Sequence, residues 1–224
     1  VSARDRVLAR LRAVHVPAPT LFPDVDRWFD SHRRNEDLSE RVGRLRSALE
    51  AAHAEVHDTT ASTWPDRLRG IAAAKGLRNL LIGAATAHGG ALEAGPAGNL
   101  QLVRYEHEIE SWRDAMFEQI DAALTHAKSA IAETGTLVLW PDAREPRMMS
   151  LIPPVHFVLL DTATIHADLH AAMVCENWKD GLPTNVLLIS GPSKTADIQQ
   201  TLAYGAHGPR ELIVLLRHPE GGAA

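Results

Sequence analysis

The residues whose types and spacing could do chemistry are densest at Ser190-Gly191-Pro192-Ser193-Lys194-Thr195. An apolar run ends just before them, and start signals place a helix from about Ser193 or Thr195. Free backbone N–H groups, two hydroxyls and an ammonium could therefore converge on one anion, a small carboxylate or a phosphate. Ser190, Gly191, Ser193, Lys194 and Thr195 are the ligand-binding candidates here. A Ser or Thr at a helix start would serve equally well as a plain cap, and Asp197 suits the helix dipole with or without a ligand. The stretch is not a nucleotide-hydrolysing phosphate loop, which needs Gly immediately before Lys-Thr; Ser193 stands there instead.

Two further groups qualify. Glu133-Thr134-Gly135-Thr136 lies between apolar segments, and Gly135 offers the positive φ of a sharp turn. Thr134, Gly135 and Thr136 are candidates to line a ligand. His156 follows Pro153-Pro154 at a strand start, where a cis bond could hold it as proton donor or hydrogen-bond partner for a carboxylate. A purely structural hydrogen bond is its other reading. Arg147 could fork a carboxylate, with Asp142 and Glu145 close enough in sequence to account for it instead. His166 and His170 stand four apart, a spacing that would place both on one helix face, but two ligands fall short of a metal site. No metal is expected.

These candidates need positioning elements. Asn185–His218 reads as strand, helix, strand, with Gly208-Pro209 stopping the helix and His207 and Arg210 left at the edge opposite the Ser190–Thr195 loop. Upstream, residues 2–14 form a basic amphipathic helix, followed by a proline-containing arm to about residue 35. Periodicity predicts a core-facing helix over Leu38–Ala54, a short strand near Glu55–His57, a helix opened by Trp64-Pro65 and a buried strand at Asn79–Ile82. Gly83–Asn99, with its glycines, reads as a loop. A strand at Leu100–Arg104, an amphipathic helix within Glu108–His126 and a strand at Val155–Leu160 complete the pattern, with Met148-Met149, Met173, Val174 and Trp178 read as core packing. The organisation expected is an extension over 1–35, one α/β domain over 36–218 and a tail over 219–224.

Composition excludes several classes. At 224 residues, 45% hydrophobic and net charge −5, the chain can bury a core and lacks the overall basic balance of a nucleic-acid partner. The single Cys175 cannot supply the thiolates of an iron–sulfur cluster. No cofactor held by this chain is expected. No apolar run reaches the ~20 residues of a membrane span, and no signal-peptide core is evident, so the expected location is cytoplasmic.

The blocks SAIAETGTLVLWPDAREPRMMSLIPPVHFVLLD and SGPSKTADIQQTLAYGAHGPRELIVLL resemble the LUD-domain family, most closely its lactate-utilisation protein C members. That resemblance implies a three-layer α/β/α sandwich with a mostly parallel sheet, similar to ribose-5-phosphate isomerase, glucosamine-6-phosphate deaminase and the CoA transferases. It implies an accessory, cluster-free part in a system oxidising L-lactate to pyruvate, with iron–sulfur proteins of a lactate-utilisation operon as partners. Relatives bearing ferredoxin-like cysteines differ from this chain, which lacks them. CoA transferases of the similar fold use a glutamate with glycine shortly after it as nucleophile, so Glu133 becomes a catalytic candidate beside His156. An isomerase or acyl/CoA-transferase acting on a phosphorylated or CoA-linked substrate, or a ligand-sensing regulator, are the alternative functions.

Overall fold

The computed structural model describes residues 2–13, 23–96, 98–106, 116, 118–196, 202–205 and 207–221. The chain divides into two units, Val1–Arg33 and Arg34–Ala224. In the first, α1 (Ala3–Ala13) and α2 (Val25–His32) bury no residue. Asp24 caps α2 through its side chain.

The second unit is an α/β fold. Among the described residues its helices include α3 (Leu38–Ala51), α4 (Trp64–Ala74), α5 (Ala87–Glu93) and α6 (Leu169–Cys175). Its strands are β1 (Glu55–Thr60), β2 (Asn79–Gly83), β3 (Gln101–Tyr105), β4 (Ala122–His126), β5 (Ser129–Ile131), β6 (Thr136–Leu139), β7 (Val155–Asp161), β8 (Ile165–His166), β9 (Leu187–Ile189), β10 (Lys194–Ala196), β11 (Leu202–Tyr204) and β12 (Glu211–His218). A main sheet runs in the order β1-β12-β7-β4-β2-β3. Every pairing in it is parallel.

Burial follows from composition. Leu212–Leu216 and Val155–Leu160 are continuous apolar runs broken only by His156, as strands covered on both faces require. One face packs Phe157, Leu159, Ile213 and Leu215 against Trp64 and Leu68 of α4 and Leu92 of α5. The other packs Val158, Leu160, Val214 and Leu216 against Leu45 and Leu49 of α3. Helix α3 starts where expected, because Asp37 and Glu40 form a reciprocal capping box.

That second face also carries a smaller sheet, β8-β5-β6-β9. Strands β5 and β6 form an antiparallel hairpin around Gly135, whose φ is 63°. A Cβ there would lie 2.6 Å from that of Ala48, so the turn sits flat on α3.

Several expectations are corrected. Asn185–His218 is not strand–helix–strand: β9 belongs to the small sheet, β10 pairs antiparallel with β11, and only β12 enters the main sheet. Ser193, Lys194 and Thr195 therefore open no helix; Asp197 lies outside the described residues. The hairpin's ends are tied by Gly205 N–H donating to Ser193 O and Ser193 N–H donating to Pro209 O. Gly208 follows no helix and is not left-handed; it admits Ser193, whose Cβ would be 3.3 Å from an added methyl.

Gly83–Asn99 contains α5, started by Thr86, whose hydroxyl accepts from Gly89 N–H. Leu124 lies in β4 rather than on a helix, and residues 108–115 and 117 of that expected segment fall outside the described residues. No peptide bond among the described residues is cis. Met173 and Val174 are 44% and 56% exposed instead of core, while Met149 is buried.

Candidate functional site

The order in which the chain adds strands to the main sheet reverses between β2 and β4: β3 follows β2 outward on one side, and β7 and β12 follow β4 on the other. From β2 the chain leaves into α5 on the α4 side, and from β4 into β5 on the α3 side. Exits that diverge in this way leave a crevice at the carboxyl ends of the strands, where open α/β sheets bind ligands. Here it is a cleft of about 390 Å³ lined by Thr86, His88, His126, Lys128, Trp140, Asp142, Arg144 and Glu145.

Its walls come from separate elements. Alternation along β4 sends Leu124 toward α4 and Ala127 toward α3, so His126 faces α5. The His88 and His126 rings stack at 5.9 Å and 22°. Glu145 joins them: one oxygen meets His88 Nε2 at 2.5 Å and the other accepts His126 N–H at 3.2 Å. Asp142 holds the Glu145 loop by accepting from the Arg144 and Glu145 backbone amides. The loop can close over β2 only because Gly83 has no side chain; a Cβ would lie 2.6 Å from Arg144 O.

Behind His126, Asp161 at the end of β7 approaches its Nε2 at 3.4 Å and accepts a fork from Arg217 of β12, the Nη2 arm at 2.7 Å. Burial alone would raise the Asp161 pKa, but the Arg217 hydrogen bond and charge outweigh it and hold the carboxyl below its usual range. Burial lowers the His126 pKa from its ordinary 6.5, helped by His88 and Arg217 and opposed by Asp161. His126 is thus a neutral ring at pH 7.

Not every charged group in the cleft has a partner close by. Arg144 is paired with Asp142 and His88 with Glu145. Lys128 is exposed, has no carboxylate partner among the described residues and places Nζ 4.3 Å from the Trp140 ring centroid.

The candidates singled out from the sequence lie mostly elsewhere. Ser190, Gly191 and Ser193 line a second cleft of about 220 Å³ at the amino ends of β7 and β12, with Ser150, His156 and His207. His207 therefore shares a pocket with the Ser190 loop instead of occupying the opposite edge. His156 is 1% exposed, and its Nε2 lies 2.8 Å from Thr125 Oγ1. Thr136 Oγ1 bonds both Thr134 Oγ1 and Ser190 Oγ, so the 133–136 turn and the Ser190 loop do meet.

Both loops pack on α3: Gly135 sits against Ala48, and an added Cβ on Gly191 would lie 3.0 Å from O of Ala52, the residue that ends the helix. Lys194 is exposed, and the Thr195 backbone lies in β10. Glu133 is exposed and lines neither cleft. Arg147 is exposed, and the carboxylates expected beside it serve Arg144 and His88 instead. His166 lies in β8 bonded to Glu176 and His170 in α6, so they share no helix face.

The comparisons with known proteins come from both sequence and structure. The LUD domain pattern matches residues 42–216. An uncharacterized protein of Neisseria meningitidis is 43% identical over 98% of this chain and 95% of its own. Lactate utilization protein C of Macrococcus caseolyticus is 33% identical over 46% of this chain and 49% of its own. Lactate utilization protein C 1 of Bacillus mycoides is 37% identical over 40% of each. The match thus spans half or less of these two lactate-utilization relatives. Among solved structures, a DUF162 family protein of Deinococcus radiodurans shares the fold, with TM-score 0.56, 22% identity, and coverage of 81% of this chain and 99% of its own. No described helix is long and apolar enough to cross a membrane. The chain belongs to the LUD domain family.

Proposed function

We propose that this chain serves lactate utilisation, as a component without an iron–sulfur cluster that works with partner proteins bearing them, and that the cleft between β2 and β4 takes a small carboxylate. The names of the lactate-utilization relatives support the first part. The second is carried by Lys128, an exposed ammonium with no carboxylate partner among the described residues, at a crevice where Arg144 already has Asp142. A small carboxylate would give that ammonium a charge-assisted hydrogen-bond partner. Its place at a carboxyl sheet edge also favours this cleft over the one beside Ser190. The transferase alternative has less support, since Glu133 faces neither cleft.

Thermal unfolding of the full chain with short carboxylates, sugar phosphates and CoA esters tests the ligand. A carboxylate at a hundred times its Kd adds about 2.7 kcal/mol, which raises the Tm of a chain this size by roughly 5–10 °C. Lys128→Ala should abolish the rise without lowering the unliganded Tm by more than about 2 °C, because the side chain is exposed. Stabilisation by phosphates or CoA esters alone would return the isomerase or transferase reading.

A further inference from the structure

We infer that the cleft between β2 and β4 is built for a 2-hydroxy acid, its carboxylate on Lys128 and its hydroxyl donating to His126 Nδ1. This rests on the carboxylate reading above and names the substrate class of the same site.

An ionised carboxylate only accepts hydrogen bonds, so Asp161, kept ionised by the Arg217 fork, requires the proton of neutral His126 to sit on Nε2. Nδ1 is left with a bare lone pair and has no protein partner among the described residues. That nitrogen cannot receive a carboxylate or a ketone oxygen, both of which are acceptors. It can receive an O–H.

Lys128 stands two residues beyond His126, past a buried Ala127 that points into the α3 core, so the two side chains emerge on the same side and line the same cleft. A carboxylate and a hydroxyl on adjacent carbons match a cation beside an acceptor. Glu145 reinforces the choice by holding the His126 backbone amide and occupying His88, which leaves His126 as the neutral acceptor of the set. The charged and titratable groups facing His126 are thus His88 from α5, Glu145 from the loop after β6, Asp161 from β7 and Arg217 from β12, with Lys128 on its own segment.

Isothermal titration of the full chain at pH 7.5 with L-lactate, pyruvate and propionate reads the selectivity directly. The three are close in size and differ at C2 by a donor, an acceptor and neither. Lactate should bind about tenfold or more tighter than either of the others, the factor a well-placed hydrogen bond provides. His126→Ala should bring lactate down to the propionate level and leave propionate unchanged, and Lys128→Ala should weaken all three. Equal affinities for lactate and propionate in the unaltered chain would overturn the hydroxyl assignment while leaving a carboxylate site. Absence of binding by all three would overturn both. The comparison within the unaltered chain stands even if a variant fails to fold.

Discussion

His156 and His126 show how environment separates two histidines of one chain. His156 sits in β7 between β12 and β4, 1% exposed and bonded to Thr125, and burial pushes its pKa down to about 3. Its proton affinity in the unfolded chain is near the ordinary 6.5. Between those values the unfolded chain binds more protons than the folded one, so stability rises with pH, and acidification below about 6.5 destabilises the fold by up to about 1.4 kcal/mol per pH unit from this residue. His126, shifted in the same direction, adds to that slope. Urea midpoints at pH 7.5 and 5.5 measure it. His156→Gln, which keeps a hydrogen-bonding group but no titration, should reduce the loss on acidification; an unchanged pH slope would show that His156 titrates normally. A neutral, enclosed histidine bonded to a threonine is better read as a structural tie between β4 and β7 than as a proton donor.

At the scale of elements, glycines divide by what surrounds them. Gly135→Ala places a methyl 2.6 Å from Ala48 in a residue at φ 63°, and should cost about 1–3 kcal/mol in urea denaturation. Gly70, within α4 and with nothing inside 4 Å of a built Cβ, should gain roughly 0.5–1 kcal/mol as Ala. A Gly135→Ala chain as stable as the parent would mean the hairpin is not seated on α3.

The same elements show what was legible. α3 and α4, β1, β2, β3, β7 and β12 are recoverable from capping, proline and apolar runs, because those signals are local. The region from Ser193 to Gly205 misled for a local reason too: Ser-Lys-Thr is a good helix start, whereas the ties that make a hairpin reach Pro209 and Ser193 across the loop. His126, Lys128, Glu145, Asp161 and Arg217 carry no common motif. They meet only because the strand order brings β4, β7 and β12 side by side, and that order is set by long-range crossovers. Of the cleft's residues the sequence reading named Asp142 and Glu145, as neighbours of Arg147, and it took the segment bearing His88 for a loop where the structure has α5. Candidates chosen for their chemistry in sequence, such as Glu133 and Lys194, are exposed outside the cleft between β2 and β4.

For the whole molecule, the division of labour rests on electrons. Oxidation of a 2-hydroxy acid to a 2-oxo acid releases two electrons and two protons. His126 offers a place for the hydroxyl proton, but a chain with one cysteine, exposed in α6, has no thiolate set for a cluster that could take the electrons. On the function proposed above, the hydroxyl proton goes to His126 while the C2 hydrogen and the two electrons pass to a partner's redox centre, and the carboxyl edge of β2 and β4 would be the face that partner reaches. Tagged chain recovered from anaerobic lysate of lactate-grown cells should bring with it iron-containing proteins and lactate-dependent dye reduction. Lys128→Ala should keep the iron and lose the dye reduction, because it removes the substrate's anchor and leaves the protein surface otherwise intact. Iron-free recovery of the chain alone would sink the stable-complex form of this proposal, and full dye reduction by the Lys128→Ala complex would place lactate on the partner instead of in this cleft.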